Sequence, residues 1–176
     1  ALDAAQDAPE PVVGRGLQCH RVPIRRRGLL SGHDQPGNGG AVYVTTLTQA
    51  KFNNNTFANN NANNGGAIYL NLSSTPTFTN CIIWGNTANF GTQVYIANDN
   101  SDPNFLYSLI QHGTIGVYGN GSGGNYNGTY QNNVESDPLF SGSGAHPYSL
   151  SQSSPAIDAG TPDTTGLYLP SVDLAG

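Results

Sequence analysis

Apolar residues enter this chain in short bursts of alternation. Val42 and Val44 flank Tyr43, Ile68 and Leu70 flank Tyr69, and Val94 and Ile96 flank Tyr95. A period of two puts the flanking pair on one face of a strand and the tyrosine on the other. Phe52, Phe57, Phe78, Ile83, Phe105 and Ile110 punctuate the stretches between these bursts, set among Asn, Thr and Gly. No window carries a helical stripe with caps, and the Gly-Gly and Asn-rich stretches read as turns. The pattern predicts short strands, tight turns and an all-β chain.

The bursts keep a register. Gly39-Gly40-Ala41-Val42-Tyr43-Val44 returns 26 residues later as Gly65-Gly66-Ala67-Ile68-Tyr69-Leu70, and again as Gly91-Thr92-Gln93-Val94-Tyr95-Ile96. Phe52, Asn54, Phe57, Asn60 and Asn63 recur as Phe78, Asn80, Ile83, Asn86 and Asn89, and Phe105 and Ile110 follow at an offset of 27. Gly116-Val117-Tyr118 is a shorter fourth echo. A 26-residue unit lacks the Leu-x-x-Leu-x-Leu ladder of a leucine-rich repeat and is too short for a propeller blade. Three short strands with their turns fill it, which predicts one coil of a right-handed, single-stranded parallel β-helix, a solenoid of about 26 residues per coil. Coils about 4.8 Å apart stack equivalent residues directly. The expected inward columns are Val42-Ile68-Val94-Val117, Val44-Leu70-Ile96, Phe52-Phe78-Phe105 and Phe57-Ile83-Ile110. Asn tolerates left-handed turns, and stacked amides can bond from coil to coil, so the Asn-rich turns have a structural reason.

Composition sharpens this reading. The 176 residues carry 23 Gly and 21 Asn but only 10% charged side chains, and like charges stacked in columns would repel. Five of the six basic residues (Arg15, Arg21, Arg25, Arg26, Arg27) precede residue 28, whereas every Asn lies at or beyond Asn38. We therefore expect an atypical N-terminal segment or cap over 1–38, coils over 39–118 and a loop-rich closing segment over 119–176. A net charge of −5 argues against a nucleic-acid partner. No apolar run approaches the roughly 18 residues of a membrane helix. Cys19 and Cys81 are too few for a disulfide framework, and Cys81 is expected as a small core residue.

The Gly-Gly-Ala-Val and Gly-Gly-Ala-Ile strings, with Phe52-Asn53-Asn54-Asn55 and Phe57-Ala58-Asn59-Asn60, resemble the repeats of polymorphic outer-membrane proteins. Phe78-Thr79-Asn80-Cys81-Ile82-Ile83-Trp84-Gly85-Asn86 is similar to a coil of bacterial secreted right-handed parallel β-helix proteins. Asp137-Pro138-Leu139-Phe140, Ser154-Pro155-Ala156-Ile157-Asp158-Ala159-Gly160 and Asp173-Leu174-Ala175-Gly176 resemble the closing segment of surface-anchored members. The resemblance implies an extracellular or cell-surface module, adhesin-like or structural, with a glycan or a host surface as partner. Such segments commonly run on past the final strand, which implies that Gly176 ends a fragment. Residues 8–38 do not read as coils, and a divergent cap, a mis-assigned stretch or a shifted reading frame is the expectation there.

Catalysis has little to work with. Glycoside hydrolysis needs two carboxyls about 5–9.5 Å apart, and no Asp or Glu lies between Asp34 and Asp99. Lys51 is the one Lys or Arg beyond residue 27. Asp99, Asp102, Glu135 and Asp137 are the acids a site would have to use. Asp99-Asn100-Ser101-Asp102 offers oxygens as a Ca2+ loop would, yet it lacks the Gly and distal Glu of an EF-hand, so turn chemistry is the stronger reading and no cofactor is expected. His20, His33, His112 and His146 have no ligand spacing, and no Gly-x-Ser-x-Gly elbow is present. The candidate binding surface is instead the outward column of Tyr43, Tyr69, Tyr95 and Tyr118, which can meet sugar rings or simply brace neighbouring strands. The leading expectation is a non-catalytic surface module. A carbohydrate-active enzyme with its site completed elsewhere, and a subunit that stacks end to end with its own copies, are the alternatives.

Overall fold

In a computed structural model, residues 39–46, 49–98, 100–118, 126–143 and 146–167 are described. The first coil carries β1 (Val42–Val44), β2 (Lys51–Asn53), β3 (Thr56–Ala58) and β4 (Asn61–Asn64). The second repeats it as β5 (Ile68–Leu70), β6 (Thr77–Thr79), β7 (Ile82–Trp84) and β8 (Thr87–Phe90). The third has β9 (Val94–Ile96), β10 (Asn104–Leu106) and β11 (Leu109–Ile110), then a 3-10 turn (Gly113–Gly116). Strands β12 (Val117–Tyr118) and β13 (Tyr130–Gln131) begin a fourth coil. Every pair among these strands is parallel, and together they build four faces: β1-β5-β9-β12, β2-β6-β10-β13, β3-β7-β11 and β4-β8.

The expected register holds. Val42 pairs Ile68 and Ile68 pairs Val94, Phe52 pairs Phe78, and Phe57 pairs Ile83. Phe105 and Ile110 follow at 27, because the turn over 97–103 is one residue longer than that over 71–76. Val117 closes up on Val94 at an offset of 23, since the 3-10 turn replaces a fourth strand. The count of three strands per coil is corrected to four in the first two coils. Asn61–Asn64 has the composition of a turn, yet the in-register neighbour over Thr87–Phe90 holds it extended.

The interior is one set of apolar columns. Ile68, Leu70, Phe78, Ile83, Val94, Ile96, Phe105 and Ile110 are fully buried there. The Phe52, Phe78 and Phe105 rings stack at 4.7 and 5.2 Å, and Phe57 meets Phe52 and Phe78 edge-on at 6.1 Å. Cys81 is buried in this core, as expected, with its thiol on the Phe52 and Thr79 carbonyls. Below it in the sequence column, Ser108 and Asn133 reach the Phe78 and Phe105 carbonyls of the preceding coil in the same way.

The corners explain the Asn and Gly. Between the second and third faces the left-handed residues are Asn54, Asn80, Tyr107 and Asn132, with φ of 57°, 54°, 50° and 55°. Between the fourth and first faces they are Gly39, Gly65 and Gly91. At Gly65 a Cβ would run into the Ile68 carbonyl as well as strain a φ of +65°, so both space and conformation demand glycine. Asn80 Nδ2 donates to Asn54 Oδ1 at 3.2 Å, and Asn60 Nδ2 to Asn86 Oδ1 at 2.9 Å, which are the amide ladders the sequence pointed to.

Within the segment expected to close the chain over 119–176, Tyr130–Gln131 and Val134 still stack on the third coil, and among the described residues from 136 on no further strand joins the solenoid. Ile83 and Ile110 point inward, so Ile82 and Leu109 point out of the third face, where Ala156 buries them together with half-buried Trp84, Val134, Phe140, Leu150 and Ala159. An antiparallel bridge joins Phe140 to Leu150, Ser154 Oγ donates to the Pro138 carbonyl at 2.6 Å, and the Thr161 N–H reaches back to Asn80 Oδ1 at 2.9 Å. This segment is a strap across the outside of the solenoid. The expected cap over 1–38, with Cys19, the arginine run and the doubtful stretch 8–38, lies outside the described residues, as does Asp173-Leu174-Ala175-Gly176.

Candidate functional site

The tyrosine ladder forms on the outer side of the first face. Tyr43 and Tyr69 stack with centroids 4.9 Å apart and planes at 9°, and Tyr69 and Tyr95 at 5.3 Å and 21°. The Tyr118 backbone pairs with Tyr95. These planes are nearly parallel along the solenoid axis, so the rings turn their faces to one another and their edges outward. Tyr69 is 8% exposed, with both faces covered, and burial first and its two neighbours second push its hydroxyl above the ordinary tyrosine value. Stacking on a sugar requires an open ring face. The inner faces of this ladder are taken by its own rings, at a gain of about 0.2–1 kcal/mol per pair.

The acids are dispersed into turns. Asp102 Oδ1 accepts the Asn127 N–H at 2.9 Å and Asp137 Oδ1 that of Leu139 at 2.8 Å. Asp163 accepts the Thr165 N–H at 2.9 Å, which lowers its pKa. Asp99, the other half of the Ca2+ candidate, lies outside the described residues. Among the described residues no three His, Cys, Asp or Glu side chains gather to hold a metal ion. Glu135 sits over the Cβ-less Gly113 and takes the Tyr130 hydroxyl at 3.3 Å. Burial, then the Glu135 charge and that bond, raise the Tyr130 pKa, while burial and then Asp102 raise that of Tyr126. Tyr126 also donates its hydroxyl at 2.7 Å to the Pro103 carbonyl. His112 is an exposed left-handed corner residue.

A second face was not singled out from sequence. The outward side of β4 and β8 is a shallow concavity of about 520 Å³ lined by Asn61, Ala62, Asn63, Thr87, Ala88 and Asn89. Asn61 Nδ2 donates to Thr87 Oγ1 at 2.6 Å, and Asn89 Nδ2 to Asn63 Oδ1 at 2.7 Å. The recurrence of Asn63 at Asn89 was the available signal, but it reads equally well as turn chemistry. The fixed amides resemble those of the buried ladders in geometry and differ in facing solvent.

The parallel coils have a counterpart among known families. Residues 28–154, well over half of the chain, match the family described as right handed beta helix region. The chain belongs to that family, and the solenoid is right-handed accordingly. No curated protein and no solved structure matches it. Among the described residues no helix is long and apolar enough to cross a membrane.

Proposed function

We propose that this chain is a non-catalytic β-helix module of an extracellular or cell-surface protein, adhesin-like in presenting a rigid face to a surface glycan. The observation that carries the reading is where the polar groups go. Asn54, Asn60, Asn80, Asn86, Gln93 and Gln111 bond to neighbouring coils, and Asp102, Asp137 and Asp163 hold turn N–H groups. Stiffness is the evident product of that arrangement, and a stiff rod is what a surface spacer or adhesin requires. The tyrosine ladder serves the same end by bracing the first face.

The test is to incubate the protein with neutral and uronate-containing polysaccharides, measuring both new reducing ends and retention on immobilised glycan. Retention without new ends supports the proposal. New reducing ends contradict it, and Glu135→Gln then tests whether the carboxylate bonded to the raised-pKa Tyr130 supplies the turnover.

A further inference from the structure

We infer that the concavity on β4 and β8 is a binding shelf for an uncharged oligosaccharide, read by Asn61, Asn63, Thr87 and Asn89. The inference rests on the surface-module reading and names the face and the ligand class. In a strand, residues two apart lie about 6.6 Å from each other, and neighbouring coils are about 4.8 Å apart. The four outward side chains therefore mark the corners of a rectangle about 6.6 by 4.8 Å, the footprint of about one sugar ring, on the floor of the open concavity.

The internal bonds decide what each corner presents. Asn61 uses Nδ2 on Thr87 and keeps Oδ1 as an acceptor, while Thr87 receives that bond and keeps its hydroxyl proton as a donor. Asn89 uses Nδ2 on Asn63 and keeps Oδ1, and Asn63 keeps its Nδ2 hydrogens. Each asparagine keeps a second Nδ2 hydrogen beside its oxygen, so the corners present donors and acceptors side by side. A sugar hydroxyl is donor and acceptor at once, so vicinal hydroxyls can meet both kinds of group, whereas a carboxylate or sulfate offers acceptors only. All six lining residues are uncharged, so nothing on the shelf balances an anionic chain. The cross-coil bonds hold the amides in place before binding, which lowers the ordering cost of capture. The four side chains are exposed or line the surface, and none is part of the core.

The experiment is calorimetric titration of the whole chain with cellohexaose, mannohexaose, xylohexaose and hexagalacturonate, repeated on Asn63→Ala/Asn89→Ala and on Tyr43→Phe/Tyr95→Phe. Circular dichroism verifies the fold of each variant, and Asn61→Gln supplies a milder perturbation if the double alanine variant unfolds. The expected result is saturable binding of at least one neutral hexasaccharide, weakened about tenfold or more by the shelf variants and unchanged in the tyrosine variant. Three results would overturn the shelf: binding of none of the neutral probes, binding of hexagalacturonate alone, or binding indifferent to the shelf substitutions. Attachment to intact cells without neutral-glycan binding overturns the shelf and spares the surface-module reading. Shelf-dependent binding with new reducing ends keeps the shelf and overturns the non-catalytic reading.

Discussion

Replacing Asn86 with alanine tests whether the amide ladders carry the fold. Asn86 is 4% exposed. Its Nδ2 donates to the Phe57 carbonyl and to Gln93 Oε1, both at 2.8 Å. Its Oδ1 accepts the backbone N–H and the Nδ2 of Asn60, both at 2.9 Å. Gln93, itself 1% exposed, passes the chain on to Gln111 Oε1 at 2.9 Å, which takes the Gly85 N–H at 2.8 Å. Alanine removes these four bonds and a longer one from Nδ2 to the Trp84 carbonyl at 3.3 Å, and leaves the Phe57 carbonyl and the Asn60 N–H without this partner. At about 1 kcal/mol net per bond, with a buried orphan costing about 1–3, the loss should be about 3–4 kcal/mol. That is a large share of the roughly 5–15 kcal/mol of a whole domain. Urea denaturation followed by far-UV circular dichroism reads it directly. Asn63→Ala, on the surface, should stay within about 0.5 kcal/mol of the parent. Asn86→Asp should be as damaging as alanine at neutral pH, because a carboxylate would face two oxygens, and should recover in acid as it regains a proton to donate. A loss below about 1 kcal/mol for Asn86→Ala would refute the reasoning.

Three further expectations follow from the geometry. Gly65→Ala should be destabilised by about 2 kcal/mol or more, against about 1 kcal/mol for Gly142→Ala, because both have positive φ but only Gly65 also faces a carbonyl; equal midpoints in urea would contradict this. Ala156→Asp places a carboxylate against Ile82 and Leu109, and limited proteolysis should then cut the strap over 136–167 while the β signal survives; an uncut strap would contradict its apolar docking. The raised Tyr69, Tyr126 and Tyr130 values mean that the unfolded chain gives up these protons first. Stability should accordingly be flat near neutrality and fall above about pH 10, and Tyr69→Phe should make the fall shallower. Stability that rises over that window would show the sign to be wrong.

The parts legible in sequence were those that repeat at a fixed offset. Val42-Ile68-Val94 and Phe52-Phe78-Phe105 announced their columns because every coil asks the same thing of those positions. The left-handed corners at Asn54 and Asn80 were legible for the same reason. Asn61–Asn64 was not, since a strand of Asn and Ala has no alternation and is extended only because Thr87–Phe90 pairs with it. The strap was hidden because Ile82 and Ile83 are adjacent apolar residues, and sequence alone does not tell which one faces out to meet Ala156. The tyrosine column was legible as a column, whereas the turning of ring faces toward one another depends on χ angles that spacing does not encode. Gln93 and Gln111 lie at unrelated repeat positions, so their bond has no signature at the 26-residue offset.

Coils 26 residues apart lie in register, and that register determines which side chains each face presents. Paired nitroxide labels at Asn63→Cys and Asn89→Cys, in a Cys19→Ser/Cys81→Ser background verified by circular dichroism, test it directly by continuous-wave electron paramagnetic resonance. The two sites face solvent on adjacent coils, bonded to each other in the parent, with backbones about 4.8 Å apart. Strong dipolar broadening for this pair, and none for a pair at Asn63 and Ile157 on the strap, is the predicted result. A sharp, unbroadened spectrum for Asn63 and Asn89 in the folded protein would contradict the account.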